Sequence, residues 1–300
     1  MNILPIPKPT KIIRFKSFLF SLYLISIVVI AFFLIKGASF YFSDYAGRPH
    51  IDGYRVLRPA GLLGHTFGVI GSAFMIFMLS YTFRKRLKLM RSWGSLNRWL
   101  DIHIYFGILG PLLVILHTSF KVQGLVAVSF WSMIAVAASG IFGRYLYLQI
   151  PRNIVGDEID MKELEQTDKK YAMQLKQEFG LSDDMINRLA ESDTIKIADG
   201  SGAFKVLYTV FKEDALRPFR TKRRHVEQVE LKNIPAETRK KIVHIAHRKS
   251  LLTRRVLLLN QMQQMFHYWH VIHKPFAIIM YAIMVIHIGV AIWTGYKWIF

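Results

Sequence analysis

The chain has 300 residues, of which 52% are hydrophobic and 20% charged, with a mean hydropathy of +0.27 and a formal net charge of +20. So much charge beside so high a hydropathy means that the charge is segregated from long apolar runs, which points to the membrane class. The absence of cysteine excludes disulfides, thiolate metal sites, iron–sulfur clusters and a cysteine nucleophile in this chain.

Five segments are long enough to cross a bilayer, a task of about 20 apolar residues. In chain order they fall near 15–36, 61–82, 100–120, 124–147 and 272–296. The first has too long an apolar run for a signal peptide and no clean small-residue cleavage site, so it reads as a retained span. The expected fold is therefore all-α. It is a polytopic helix bundle of about five spans, with membrane parts 1–147 and 272–300 and a helical insert at 148–271.

Lys and Arg in the flanks set the expected orientation. Lys8, Lys11, Arg14 and Lys16 precede the first span, and the 83–99 connection carries six basic residues without an acid. The 37–60 connection mixes Arg48, Arg55 and Arg58 with Asp44 and Asp52. The N-terminus, the 83–99 loop and the insert are thus expected in the cytoplasm, and the C-terminus outside. The basic surplus reads as a topology and anionic-lipid signal, not as a nucleic-acid footprint.

The insert is acidic first and basic later. Residues 151–214 hold 14 acidic and 9 basic side chains, and 217–255 hold 3 acidic and 13 basic. Two helical arms paired by charge are expected. One helix should end at Gly180, the next should be capped by Ser182, and a long helix should open near Pro235 and run towards the fifth span. The stretch around Gly200 and Gly202 suggests a short hairpin. The insert carries no P-loop and no GxGxxG motif.

Ionisable side chains inside a span are functional candidates, because polar groups are costly there. The third span holds His103 and His117, and the fifth holds His273 and His287. Fourteen residues turn a helix to within about 40° of its starting direction and advance it about 21 Å. Each pair of histidines therefore shares one helix face, at two depths of a hydrocarbon core about 30 Å thick. Both spans run the same way through the membrane. His103 should then meet His273 near the cytoplasmic side, and His117 should meet His287 near the outer side. A metal in a planar apolar body, with two open axial positions, suits each pair, and haem has that form.

Gly107 and Gly110 stand between the histidines of the third span. Glycine costs a helix about 1 kcal/mol relative to alanine, so the two serve either close approach of a porphyrin face or tight helix packing. Pro111 is expected to kink the same helix. His65 opens the second span beside Gly64, Gly68 and Gly71, and is a further candidate as ligand, propionate partner or quinone group. His270 is a fallback inner ligand, although it lies about 100° away from the His287 face. Arg55 and Arg58, just outside the second span, suit haem propionates. Arg98 and Arg144 fit propionates or the positive-inside pattern equally. His50, His225, His244 and His247 read as loop or surface residues.

The two His-x13-His helices resemble the ligand helices of membrane dihaem b-type cytochromes. Their placement on the third and fifth spans is similar to the transmembrane ferric-reductase-like pattern. The stretches "FWSMIAVAASGIFGRYLYLQIPR" and "FHYWHVIHKPF" resemble bacterial cytochrome b proteins that accompany multihaem c-type cytochromes. The resemblance covers the membrane part, about half of the chain. It implies that His103, His117, His273 and His287 ligate two haems b. It also implies an electron-transfer subunit of an oxidoreductase in the bacterial cytoplasmic membrane, with a quinone pool and a periplasmic cytochrome or other redox subunit as partners. The insert departs from the better-known members, and the flavin and nicotinamide domain of ferric reductases is missing. The alternative from another class is a haem-free proton or metal transporter that uses the histidines as a relay.

Overall fold

A computed structural model describes residues 9–90, 92–150, 161–191, 203–216, 231 and 234–295. Among the described residues the chain is helical and has no strand. Five helices are long and apolar enough to cross a membrane. Helices suit that setting because every backbone N–H and C=O in hydrocarbon must be paired within the segment.

By contact, the chain divides into residues 1–141 with 272–300 and residues 142–271. The first unit starts with α1 (Pro9–Lys36), which has a proline at its first turn. Most of its surface is apolar and uncovered, with Phe18, Phe20 and Ile35 exposed. That is the expected state of a helix whose solvent is lipid. It touches the bundle through polar and aromatic contacts, Ser26 with the Tyr105 hydroxyl at 2.8 Å and Tyr23 against the Tyr105 ring.

Short helices α2 (Ala38–Tyr41) and α3 (Tyr54–Leu57) and a 3-10 turn at Arg48–His50 form the following connection. It wraps around Arg48, which is 6% exposed. The guanidinium donates to the carbonyls of Ser119 at 2.6 Å, Tyr41 at 3.0 Å and Ser43 at 3.3 Å, and it lies over the rings of Tyr45 and Phe40. The Tyr45 hydroxyl donates to the Phe120 carbonyl. Ser119 and Phe120 adopt left-handed backbone conformations, φ 51° and 61°, which few non-glycine residues visit. Arg48 thus pins the turn that ends the third span.

Helix α4 (Leu62–Met78) is followed by α5 (Ser80–Arg86), then α6 (Leu96–Thr118) and α7 (Gly124–Gln149). α4 and α6 pack extensively along each other. Gly71 and Gly110 make that approach possible. A Cβ on Gly110 would lie 3.0 Å from Met75 Cγ and 3.3 Å from the Gly71 carbonyl, and one on Gly71 would lie 3.1 Å from the Gly110 carbonyl. In lipid, helices associate through such close contact rather than through hydrophobic burial. α6 runs through Pro111 as one continuous helix.

The fifth span belongs to α11 (Ala236–Trp293), a helix of 58 residues, or about 87 Å at 1.5 Å per residue. It passes through Pro275 uninterrupted. Within the first unit its Met280 and Met284 pack with Met75 and Met133 in a buried methionine layer. Side-chain bonds tie it to its neighbours there. Tyr281 donates to the Met75 carbonyl at 2.6 Å, and Ser129 donates to the Met280 carbonyl at 3.1 Å.

The second unit contains α8 (Met161–Phe179), α9 (Asp183–Glu191) and α10 (Ala203–Leu216) beside parts of α7 and α11. α8 stops at Gly180, whose φ is +65°. Ser182 caps α9 by accepting from the Met185 N–H at 3.2 Å. One cluster buries Leu175, Leu231 and Ile242 fully, each a gain of about 1.5–3 kcal/mol. Charge pairing of the acidic and basic arms is present at one buried point. Lys249 on α11 meets both Asp168 oxygens on α8 at 3.0 and 3.2 Å, and Thr253 donates to Asp168 at 2.8 Å. The expected hairpin is corrected in part. Residues 203–210 begin α10, whose buried Val206 and Val210 sit one helical turn apart, while Gly200 and Gly202 lie outside the described residues.

Candidate functional site

Helical spacing alone placed two histidines on each of two spans, and α6 and α11 carry them. At the level expected to be the outer one, the rings of His117 and His287 come together with centres 6.4 Å apart and planes inclined by 61°. That separation can be compared with a metal held between them. Two metal–nitrogen bonds of about 2.0–2.1 Å, plus the distance from ring centre to nitrogen at each end, come to about 6 Å. The separation of His117 and His287 leaves room for a metal held between the two imidazoles.

The tautomer of His117 follows from its partner. Its Nδ1 stands 2.8 Å from the Gly64 carbonyl oxygen. A carbonyl only accepts, so Nδ1 carries the proton, and Nε2 of the neutral ring carries the lone pair that a metal needs. A second-shell bond of this kind orients a ligating histidine and raises its basicity. Gly64 lies in the first turn of α4, and its oxygen has two lone pairs, enough for the helix and for the ring.

A glycine one turn further on makes the bond possible. A Cβ on Gly68 would lie 2.7 Å from His117 Nδ1, 2.8 Å from Cε1 and 2.9 Å from Cγ. The imidazole therefore rests in a notch on α4 left by a missing side chain. In the sequence Gly64 and Gly68 stand beside His65, but in the fold the ring that Gly68 meets is that of His117. His65 itself is half-buried in the first turn of α4, and it and His287 are the electrostatic neighbours of His117.

At the inner level His103 Nδ1 is 3.0 Å from the carbonyl of Met78, the last residue of α4. The same accounting puts its lone pair on Nε2. Tyr81 packs on the ring at 5.3 Å. His273 Nδ1 is 2.7 Å from Ser139 Oγ on α7. Each inner histidine is thus held by a partner on a neighbouring helix, in a form that suits ligation.

Other candidates take other places. Gly107 and Gly110 face α4, with a Gly107 Cβ 3.1 Å from Met78 Sδ, so helix packing accounts for both glycines where a porphyrin face was the other reading. His270 donates Nδ1–H to the Phe266 carbonyl of its own helix at 2.9 Å and lies between the Phe266 and Trp269 rings. Trp269 in turn packs on Gly143, where a Cβ would come within 2.2 Å of the indole. Arg55 is exposed, and Arg58 lies over the Tyr54 ring. Arg98 lies over Phe15 and Arg144 over Tyr147. His50 sits in the 3-10 turn, His244 and His247 are on α11, the first exposed and the second half-buried, and His225 lies outside the described residues.

Comparison with protein-family profiles, with characterised proteins and with solved structures finds no match for this chain.

Proposed function

We propose that this chain carries electrons across a bilayer through two b-type haems. His117 and His287 would ligate the outer haem, and His103 and His273 the inner one. The observation that carries the reading is the outer pair, two imidazoles with ring centres 6.4 Å apart and the His117 proton committed to the Gly64 carbonyl. Bound haem supplies one-electron redox chemistry. The chain's own part is to hold His103, His117 and His273 in the Nδ1–H form, keep the histidines of each helix at two depths about 21 Å apart, and surround them with apolar side chains.

The Lys and Arg pattern supports an orientation with the N-terminus and the insert inside, and the resemblance to bacterial cytochrome b proteins suggests the bacterial cytoplasmic membrane. A quinone pool and a periplasmic cytochrome or other redox subunit are the proposed partners, with the chain acting as an electron-transfer subunit. The test is the haem-to-polypeptide ratio of the purified protein by pyridine haemochrome, with a dithionite-reduced difference spectrum. Two b-type haems per chain are expected. A well-folded, haem-replete preparation without a Soret band would refute the proposal and direct attention to proton or metal transport.

A further inference from the structure

His117, His103 and His273 each have an Nδ1 partner in the structure, and the partners differ in kind. His117 and His103 donate to the main-chain carbonyls of Gly64 and Met78. His273 is paired with a side chain, the Ser139 hydroxyl at 2.7 Å. The direction of that bond follows from a second one. Ser139 Oγ donates to the Val136 carbonyl, one turn back on α7, at 2.9 Å. A hydroxyl has one proton and two lone pairs. With its proton given to Val136, Ser139 accepts the proton of His273 Nδ1, and the lone pair of His273 is on Nε2.

We propose that Ser139 is the positioning residue of the inner site, holding the His273 ring in its ligating tautomer and lowering the potential of the inner haem. The inference rests on the dihaem reading. An accepted Nδ1–H bond raises the basicity of the ligating nitrogen and so favours the oxidised iron, and hydrogen bonding around a ligand is one of the levers on a haem potential. Loss of the acceptor weakens that preference. The bond to Val136 satisfies the serine proton within its own helix, so the hydroxyl can stay in an apolar span whether or not a ring is present.

The experiment is an equilibrium redox titration of the purified chain, wild type against Ser139→Ala. Two haems are expected in both, with one midpoint raised in the variant and the other unchanged. In a His117→Ala/His287→Ala background, which keeps only the inner haem, Ser139→Ala should raise the single remaining midpoint. Ser139→Thr keeps the hydroxyl and should restore the wild-type value. If Ser139→Ala yields too little folded protein, Ser139→Cys replaces it. Its size is nearly the same and its sulfur is a weak acceptor, so the same midpoint should rise. Two haems with both midpoints unchanged in the alanine or cysteine variant would overturn the proposal, as would a threonine variant that behaves like alanine. Failure of the parent reading shows itself separately, as a wild-type chain without haem.

Discussion

Gly68→Ala is a one-methyl perturbation with opposite effects on the helix and on the outer site. In an ordinary helix this change is favourable by about 1 kcal/mol, so α4 itself should not suffer. The added Cβ would nevertheless stand 2.7 Å from His117 Nδ1, where ordinary contact begins at 3.4 Å. The ring must retreat by 3.4 − 2.7, or about 0.7 Å, directly away from α4. Retreat along that line stretches the 2.8 Å bond to the Gly64 carbonyl to about 3.5 Å, beyond hydrogen-bond range. A lost bond with a buried partner costs about 1–3 kcal/mol, or roughly 5–150-fold in affinity at 1.4 kcal/mol per decade. The assay is haem content and difference spectrum after purification in detergent, followed by titration with haem. The expected result is a chain of unchanged helicity that retains one haem and takes up the second more weakly. Two tightly held haems with an unchanged spectrum would refute the account of the His117 seat.

Further outcomes follow from the same contacts. His117→Ala and His287→Ala should each lower the haem count from two to one and remove the same spectral component, whereas His103→Ala and His273→Ala should remove the other, and His65→Ala should keep both. Arg48→Met removes three bonds to carbonyls, each worth about 1–3 kcal/mol when the acceptor stays buried. Thermal retention of the folded chain in detergent should fall sharply and the outer haem should loosen, because Ser119 follows the His117 helix end. Asp168→Ala leaves Lys249 buried without this carboxylate, a cost of about 3–5 kcal/mol. Limited proteolysis should then cut residues 142–271 faster while the haem count stays at two.

The histidine pairs were legible because helical periodicity is a local rule. Residues fourteen apart share a face wherever the helix stands. Gly180, Ser182 and Pro235 were legible for the same reason, since caps and stops act within one turn. The role of Gly68 was not legible. Its neighbour in space is His117, far away in the chain, and a glycine beside His65 looks the same whether it seats that histidine or another. Gly110 was ambiguous between a cofactor and a helix until Gly71 stood opposite it. The start of α10 was misread as strand because a stretch such as "AFKVLYTV" carries apolar residues that suit either period.

What the sequence by itself determined is the set of spans, the two depths and the charge asymmetry of the loops, all properties of composition and period along one chain direction. The tertiary structure decided which nitrogen of His117 and of His103 carries the proton. The acceptors for His117 and His103 are main-chain carbonyls of another helix, and every residue has a carbonyl. No residue code marks the one that will be used. Only the packing of α4 against α6, with a glycine in the right turn, selects it.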